Sequence, residues 1–118
     1  MMNSDIIDTD PLREITGGSE QRMKRYIGIF LQGMPGYLEQ IEKATMERDV
    51  SAMYAVLHSI KPHIKMMGMV KLIPDIDERE KLFTETISDE DFLNESKVLT
   101  GLLREASDEL TKYVQDND

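Results

Sequence analysis

The sequence DVSAMYAVLHSIKPHIKMMG, residues 49–68, has the periodicity of an amphipathic helix. An acidic residue that can cap a helix opens this stretch, and a glycine that can end one closes it. Between them, apolar residues recur at steps of three and four, the spacing of one helical face. The members of this stripe are Met53, Val56, Leu57, Ile60, Ile64 and Met67. We therefore expect a helix from Asp49 or Ser51 to about Met67, ended by Gly68.

Two further helices are predicted before this stretch. Residues 11–16 form a short one that a proline opens and two glycines end, with Leu12 and Ile15 as its apolar face. Ser19 is the predicted N-cap of a long helix that runs to about residue 47. The apolar phase passes Pro35 without a slip, which predicts one helix kinked at this proline. Its stripe is Met23, Ile27, Phe30, Met34, Leu38, Ile41 and Met46.

Two more helices follow Gly68. Pro74 suits the first turn of the fourth helix, residues 86–88 form a turn, and Ser88-Asp89-Glu90-Asp91 resembles a capping box that opens the last helix. The residues expected to face inward are Leu72, Ile76, Leu82 and Phe83, then Leu93, Leu99, Leu102, Leu103, Ala106, Leu110 and Tyr113. No stretch alternates apolar and polar residues for long enough to predict a strand.

The expected fold is all-α. It is an antiparallel four-helix bundle over residues 11–118, with a short N-terminal helix across one end and a flexible arm of residues 1–10 before it. A length of 118 residues suits a single domain.

Composition excludes several classes of function. There are 14 Lys and Arg against 23 Asp and Glu, a net charge of −9, which argues against binding nucleic acid. The absence of cysteine excludes disulfides and thiolate nucleophiles. The sequence contains no apolar run of membrane-spanning length and no signal peptide, so we expect a cytoplasmic protein without membrane contact. No long apolar stripe is left over from the predicted core, so we expect a monomer.

One histidine is predicted to point away from the core. Placed at 100° per residue, His58 lies roughly 150° from the centre of the apolar stripe. Lys61 and Lys65 flank it on the same face, with Tyr54 and Pro62 nearby. The 25 residues 50–74 contain no acid, so these cations form a basic region on an acidic protein. An imidazole is an effective nucleophile near pH 7, and neighbouring ammonium groups attract anions, of which a phosphoryl group is the obvious one.

The residues His58-Ser59-Ile60-Lys61-Pro62, followed by Gly68, resemble the H-x-x-K-G-x5-G signature of histidine-containing phosphotransfer domains. The resemblance extends to Phe30-Leu31, Met34-Pro35-Gly36-Tyr37, Asp49, Leu72 and Glu80. It implies that His58 accepts the phosphoryl group, that Lys61 is the cation beside it, and that Gly68 forms a turn after the helix.

The same resemblance implies the partners. Domains of this family carry phosphoryl groups between a hybrid sensor histidine kinase and the receiver domains of response regulators. A receiver brings its own aspartate and Mg²⁺, so the chain itself is expected to need no cofactor and no metal, and not to be an enzyme. The expected docking residues are Tyr54, Ala55, Pro62, Lys65, Met66 and Gly68.

Two residues depart from the family pattern and leave an alternative open. Pro62 stands where the family has glycine, and Lys65 stands where it usually has a small residue. The alternative is a helical interaction module that docks receiver domains without transferring phosphate. A histidine-based hydrolase is disfavoured because no acid lies within a turn of His58. His63 is interpreted as a residue at the edge of the core, and the acids between residues 75 and 80 as a solvated face.

Overall fold

The computed structural model describes residues 7–116, which form five helices and no strand. The helices are α1 (Asp10–Thr16), α2 (Glu20–Glu47), α3 (Val50–Met66), α4 (Leu72–Leu82) and α5 (Asp89–Asp116). The all-α prediction is therefore confirmed. Helix α2 continues through Pro35 as one helix of 28 residues, as the uninterrupted apolar phase predicted.

The helix ends follow from capping side chains. Ser19 accepts a hydrogen bond from the amide of Arg22 at 3.2 Å, and Asp49 accepts one from the amide of Ala52 at 2.9 Å. Gly17 ends α1 with a φ of +66°, in the left-handed region that glycine adopts without strain. These predicted ends are confirmed because each depends only on atoms a few residues apart.

The helices enclose one core in a shape of 45 × 21 × 20 Å. Helix α2 packs against α3 and α5, while α4 packs against both α3 and α5. The short α1 lies against α2 and α3. The predicted stripe of α3 is buried along its whole length, so the opposite face of that helix is left for other contacts.

Three predicted core residues are exposed instead. The exposed fractions are 52% for Ile15, 77% for Met46 and 37% for Leu93. In α5 the buried face begins one residue earlier, at Phe92, and passes through the buried Ser96 to Leu99. The error arises near helix ends, where a run of only one or two apolar residues leaves the phase of the helix undetermined.

The predicted flexible arm, residues 1–10, is corrected at its C-terminal end; residues 1–6 lie outside the described chain. Ile7 and Thr9 are each only 3% exposed. The amide of Asp8 donates a 2.6 Å hydrogen bond to the carbonyl of Gly68, and α1 already begins at Asp10. Residues 7–9 therefore pack against the end of α3, because Ile7 adds an apolar side chain to the core there.

Candidate functional site

His58 projects from α3 into solvent. Its side chain is 73% exposed, on the side of the helix away from the buried stripe. The ring stacks on that of Tyr54, one turn earlier, with the ring centroids 6.0 Å apart and the planes 13° from parallel. This contact lies along one face of the ring and leaves its edge open to solvent.

Lys61 is not the free cation that the sequence suggested. Its ammonium group forms ion pairs with Asp77 and Glu80 on α4, the latter at 3.4 Å from Nζ to Oε1. The hydrogen bond to Asp77 is the main cause that raises the pKa of Lys61 above 10.5, and the charge of Glu80 adds to it. Lys61 therefore stays charged at neutral pH and is held towards α4.

Glu80 connects both residues of the candidate site. Its Oε2 atom lies 4.0 Å from Nδ1 of His58, while its Oε1 atom faces Lys61. Oε1 is shielded from solvent and accepts no hydrogen bond from the described residues, so the nearby ammonium supplies its compensating charge. An acid on the neighbouring helix therefore faces the imidazole, although none lies within a turn of His58 along α3.

The same contacts correct two predictions about charge. Asp77 and Glu80 are not a purely solvated face, and the basic region around His58 is partly neutralised by them. The 25-residue stretch without acids covers α3, the turn after it and the first three residues of α4, but the rest of α4 places acids beside α3. Within residues 7–116, Lys65 is exposed and forms no ion pair.

Most of the predicted docking residues lie on the open side of α3. Ala55, Pro62, Lys65 and Met66 are exposed, and Tyr54 is half-buried beneath the histidine ring. Gly68 does not belong to this surface. It is buried with a φ of +71°, and a Cβ atom there would overlap the carbonyl group of Asp8. This prediction is therefore wrong, because residues 7–9 cover the glycine.

His63 lies on a different face of α3, beside α2. Its ring centroid is 6.3 Å from that of Tyr37, and no carboxylate pairs with it within residues 7–116. It borders an apolar groove between the two helices, lined by Tyr26, Ile29, Phe30, Gly33, Tyr37, His63, Met66 and Met67. Met66 thus belongs to both the groove and the predicted docking surface.

Sequence reasoning missed Asp77 and Glu80 as site residues. Both acids lie on α4, whereas spacing along the sequence identifies only neighbours within the turns of α3 next to His58. A usable signal did exist: the two acids are three residues apart on α4, which places them on one face of that helix. Ile29, which the predicted stripe of α2 leaves out, is 60% exposed on the groove side of that helix.

The described residues contain neither a metal-binding cluster nor a membrane-spanning helix. Residues 7–116 contain no cluster of three or more His, Asp or Glu side chains arranged to hold a metal ion. In the same part of the chain, no helix combines the length and apolarity needed to cross a membrane.

Comparison with protein-family models, curated proteins and solved structures finds no match to this chain. The geometry around His58 is therefore the basis for assigning a function.

Proposed function

We propose that this protein is a phosphocarrier of a two-component phosphorelay, in which His58 accepts a phosphoryl group from one receiver-domain aspartate and passes it to another. The observation that carries the proposal is the environment of the His58 ring. The ring is 73% exposed, and its Nδ1 atom faces the carboxylate of Glu80 at 4.0 Å. A nucleophile that reacts with groups on other proteins needs this exposure, and one that reacts through nitrogen needs a defined tautomer.

Glu80 favours the tautomer that the reaction requires. A carboxylate that faces Nδ1 stabilises the proton on that nitrogen, which leaves the lone pair on Nε2. In the transfer, Nε2 attacks phosphorus in line, the N–P bond forms, and the P–O bond to the receiver aspartate breaks. The aspartate leaves as a carboxylate with the bonding electron pair. The Nδ1 proton stays opposite Glu80, which compensates the positive charge of the phosphorylated ring.

The remaining chemistry would come from the partner. A receiver domain supplies the acidic phosphorylation site and its Mg²⁺, which neutralises charge on the phosphoryl group. The exposed Ala55, Pro62 and Met66 offer an apolar docking surface beside His58, and Lys65 offers a positive charge to an acidic partner. We further propose a cytoplasmic monomer built as an antiparallel four-helix bundle, which phosphorylated receivers and a hybrid sensor kinase can approach at this surface.

A docking module that transfers no phosphate is the second candidate. The engagement of Lys61 by Asp77 and Glu80 favours it, because this cation is turned towards α4 and its charge is already balanced. Such a module would bind receiver domains through the same surface and leave His58 unmodified.

Phosphoryl transfer from a receiver distinguishes the two candidates. Incubation with a phosphorylated receiver domain and Mg²⁺ should give one phosphoryl group per chain, labile in acid and stable in base. His58→Gln should abolish this label, whereas His63→Gln should retain most of it, because His63 lies on the face beside α2. Both variants should unfold within about 0.5 kcal/mol of wild type, since exposed substitutions rarely change stability more.

Two results would contradict the proposal. Label on His63, or label that persists in the His58 variant, would remove His58 as the acceptor. Receiver binding with no label on any histidine would establish the docking module instead.

A further inference from the structure

We infer that Asp77 is a positioning residue that restrains Lys61, so that a phosphoryl group on His58 must compete with α4 for this cation. The inference rests on the proposed function and adds a regulatory contact to it. Asp77 forms an ion pair with Lys61 and is half exposed, at 50%. Its relation to His58 therefore runs through Lys61.

Two carboxylates of α4 contact the ammonium group of Lys61. Asp77 and Glu80 lie three residues apart on that helix, and both contact the same Nζ atom. Lys61 itself lies three residues after His58 on α3, close enough along the helix for its side chain to reach a group on the ring. The lysine is thus placed between two possible partners, of which α4 holds it in this structure.

Phosphorylation would change the balance between these partners. A protein-bound phosphate carries about −1.5 to −2 charges at pH 7 and presents strong acceptor oxygens. On Nε2 of the His58 ring it would lie away from Glu80, whose carboxylate faces Nδ1 at 4.0 Å, so the phosphoryl oxygens need a cation from elsewhere. Moving Lys61 towards the phosphoryl group supplies that cation, but it separates the ammonium from Asp77.

Linkage makes this competition reciprocal. Any interaction that holds Lys61 on α4 lowers the stability of the phosphorylated form, and phosphorylation weakens the Lys61–Asp77 contact by the same free energy. Asp77 thus sets how readily the chain gives its phosphoryl group back to a receiver. Removing the charge of Asp77 should shift the phosphoryl group towards His58.

Asp77→Asn tests this inference directly. At equilibrium with a receiver domain, the ratio of phosphorylated chain to phosphorylated receiver should rise about twofold to fivefold, the effect expected of one partly exposed ion pair. The matched control is Glu78→Gln, which removes the same charge from the next, exposed position of α4, where no ion pair forms with residues 7–116. The control should leave the ratio nearly unchanged.

A double-mutant cycle separates positioning from general charge effects. In a Lys61→Met background, Asp77→Asn should no longer change the ratio, because the cation it restrains is gone. A second readout needs no phosphoryl group. Asp77→Asn should lower the raised pKa of Lys61 towards its usual value, so acetic anhydride should modify the Lys61 amine faster at pH 9 than in wild type.

The outcomes keep the inference apart from the proposed function. An unchanged ratio in Asp77→Asn, with normal labelling of wild-type His58, overturns the inference and leaves the function standing. An equal rise in Glu78→Gln, or a rise that persists without Lys61, also overturns it. No label on wild-type His58 overturns both, even where the acetylation rates confirm the restraint on Lys61.

Discussion

Among the glycines of the described residues, Gly68 occupies the position where a side chain is least tolerated. Its φ of +71° lies in the left-handed region, and its carbonyl accepts the 2.6 Å hydrogen bond from Asp8. Gly68→Ala should lower the free energy of unfolding by at least about 2 kcal/mol, because it adds left-handed strain and an overlap with the Asp8 carbonyl. Urea denaturation followed by circular dichroism measures the change.

The matched control at this scale is Gly101 in α5. A Cβ atom there meets nothing within 4 Å, and its φ is not positive. Gly101→Ala should therefore raise the free energy of unfolding by about 0.5–1 kcal/mol, through the better helix propensity of alanine. Equal effects of the two substitutions would show that Gly68 has neither the left-handed backbone nor the close contact with Asp8 in solution.

At the scale of the element, α3 contains a proline in its interior. Pro62 has no amide hydrogen, so the carbonyl of His58 loses its partner one turn later, although the helix continues to Met66. Pro62→Ala should restore this hydrogen bond and raise the free energy of unfolding by about 1–2 kcal/mol, after allowance for the more flexible unfolded chain. Thermal or urea unfolding checks the result.

Pro11 is the control for this element-scale prediction. It lies in the first turn of α1, where an amide hydrogen would have no helical partner. Pro11→Ala should therefore change the free energy of unfolding by less than about 1 kcal/mol. If Pro62→Ala instead destabilises the protein, the proline is required by the packing of α3 and not merely tolerated in it.

At the scale of the whole molecule, Arg79 joins α4 to α5. Its side chain is 7% exposed; it pairs with Glu95 on α5 at 3.1 Å and donates to the carbonyl of Asp75 at 3.0 Å. Arg79→Ala should cost about 2–4 kcal/mol in unfolding free energy, because it leaves a partly buried carboxylate without its cation. Since α4 also carries Glu80, whose carboxylate faces Nδ1 of His58, phosphoryl transfer should fall as well.

An exposed ion pair supplies the comparison. On α5, Nζ of Lys112 lies 3.9 Å from Oε1 of Glu109, and the lysine side chain is 69% exposed. Lys112→Ala should change the unfolding free energy by less than about 0.5 kcal/mol, because solvent screens such pairs. A similar loss in both variants would mean that Arg79 does not connect the two helices.

Local sequence patterns were sufficient to predict the helices and the side of α3 from which His58 projects. Caps, glycine stops and apolar spacing act within about four residues, so Ser19, Asp49 and the stripe of α3 could be interpreted from the chain alone. The helical wheel that places Leu57 in the core also places His58 on the solvent-facing side of α3. Where the pattern was short, as at Ile15 and Leu93, the expected burial was wrong.

Only the tertiary structure decided which charges surround His58. Charges act through space, so Asp77 and Glu80 on α4 neutralise Lys61 although the stretch around it contains no acid. The burial of Gly68 under Asp8 likewise depends on a contact between segments distant in the chain. Such contacts follow from how the helices pack, and no spacing within a single helix encodes them.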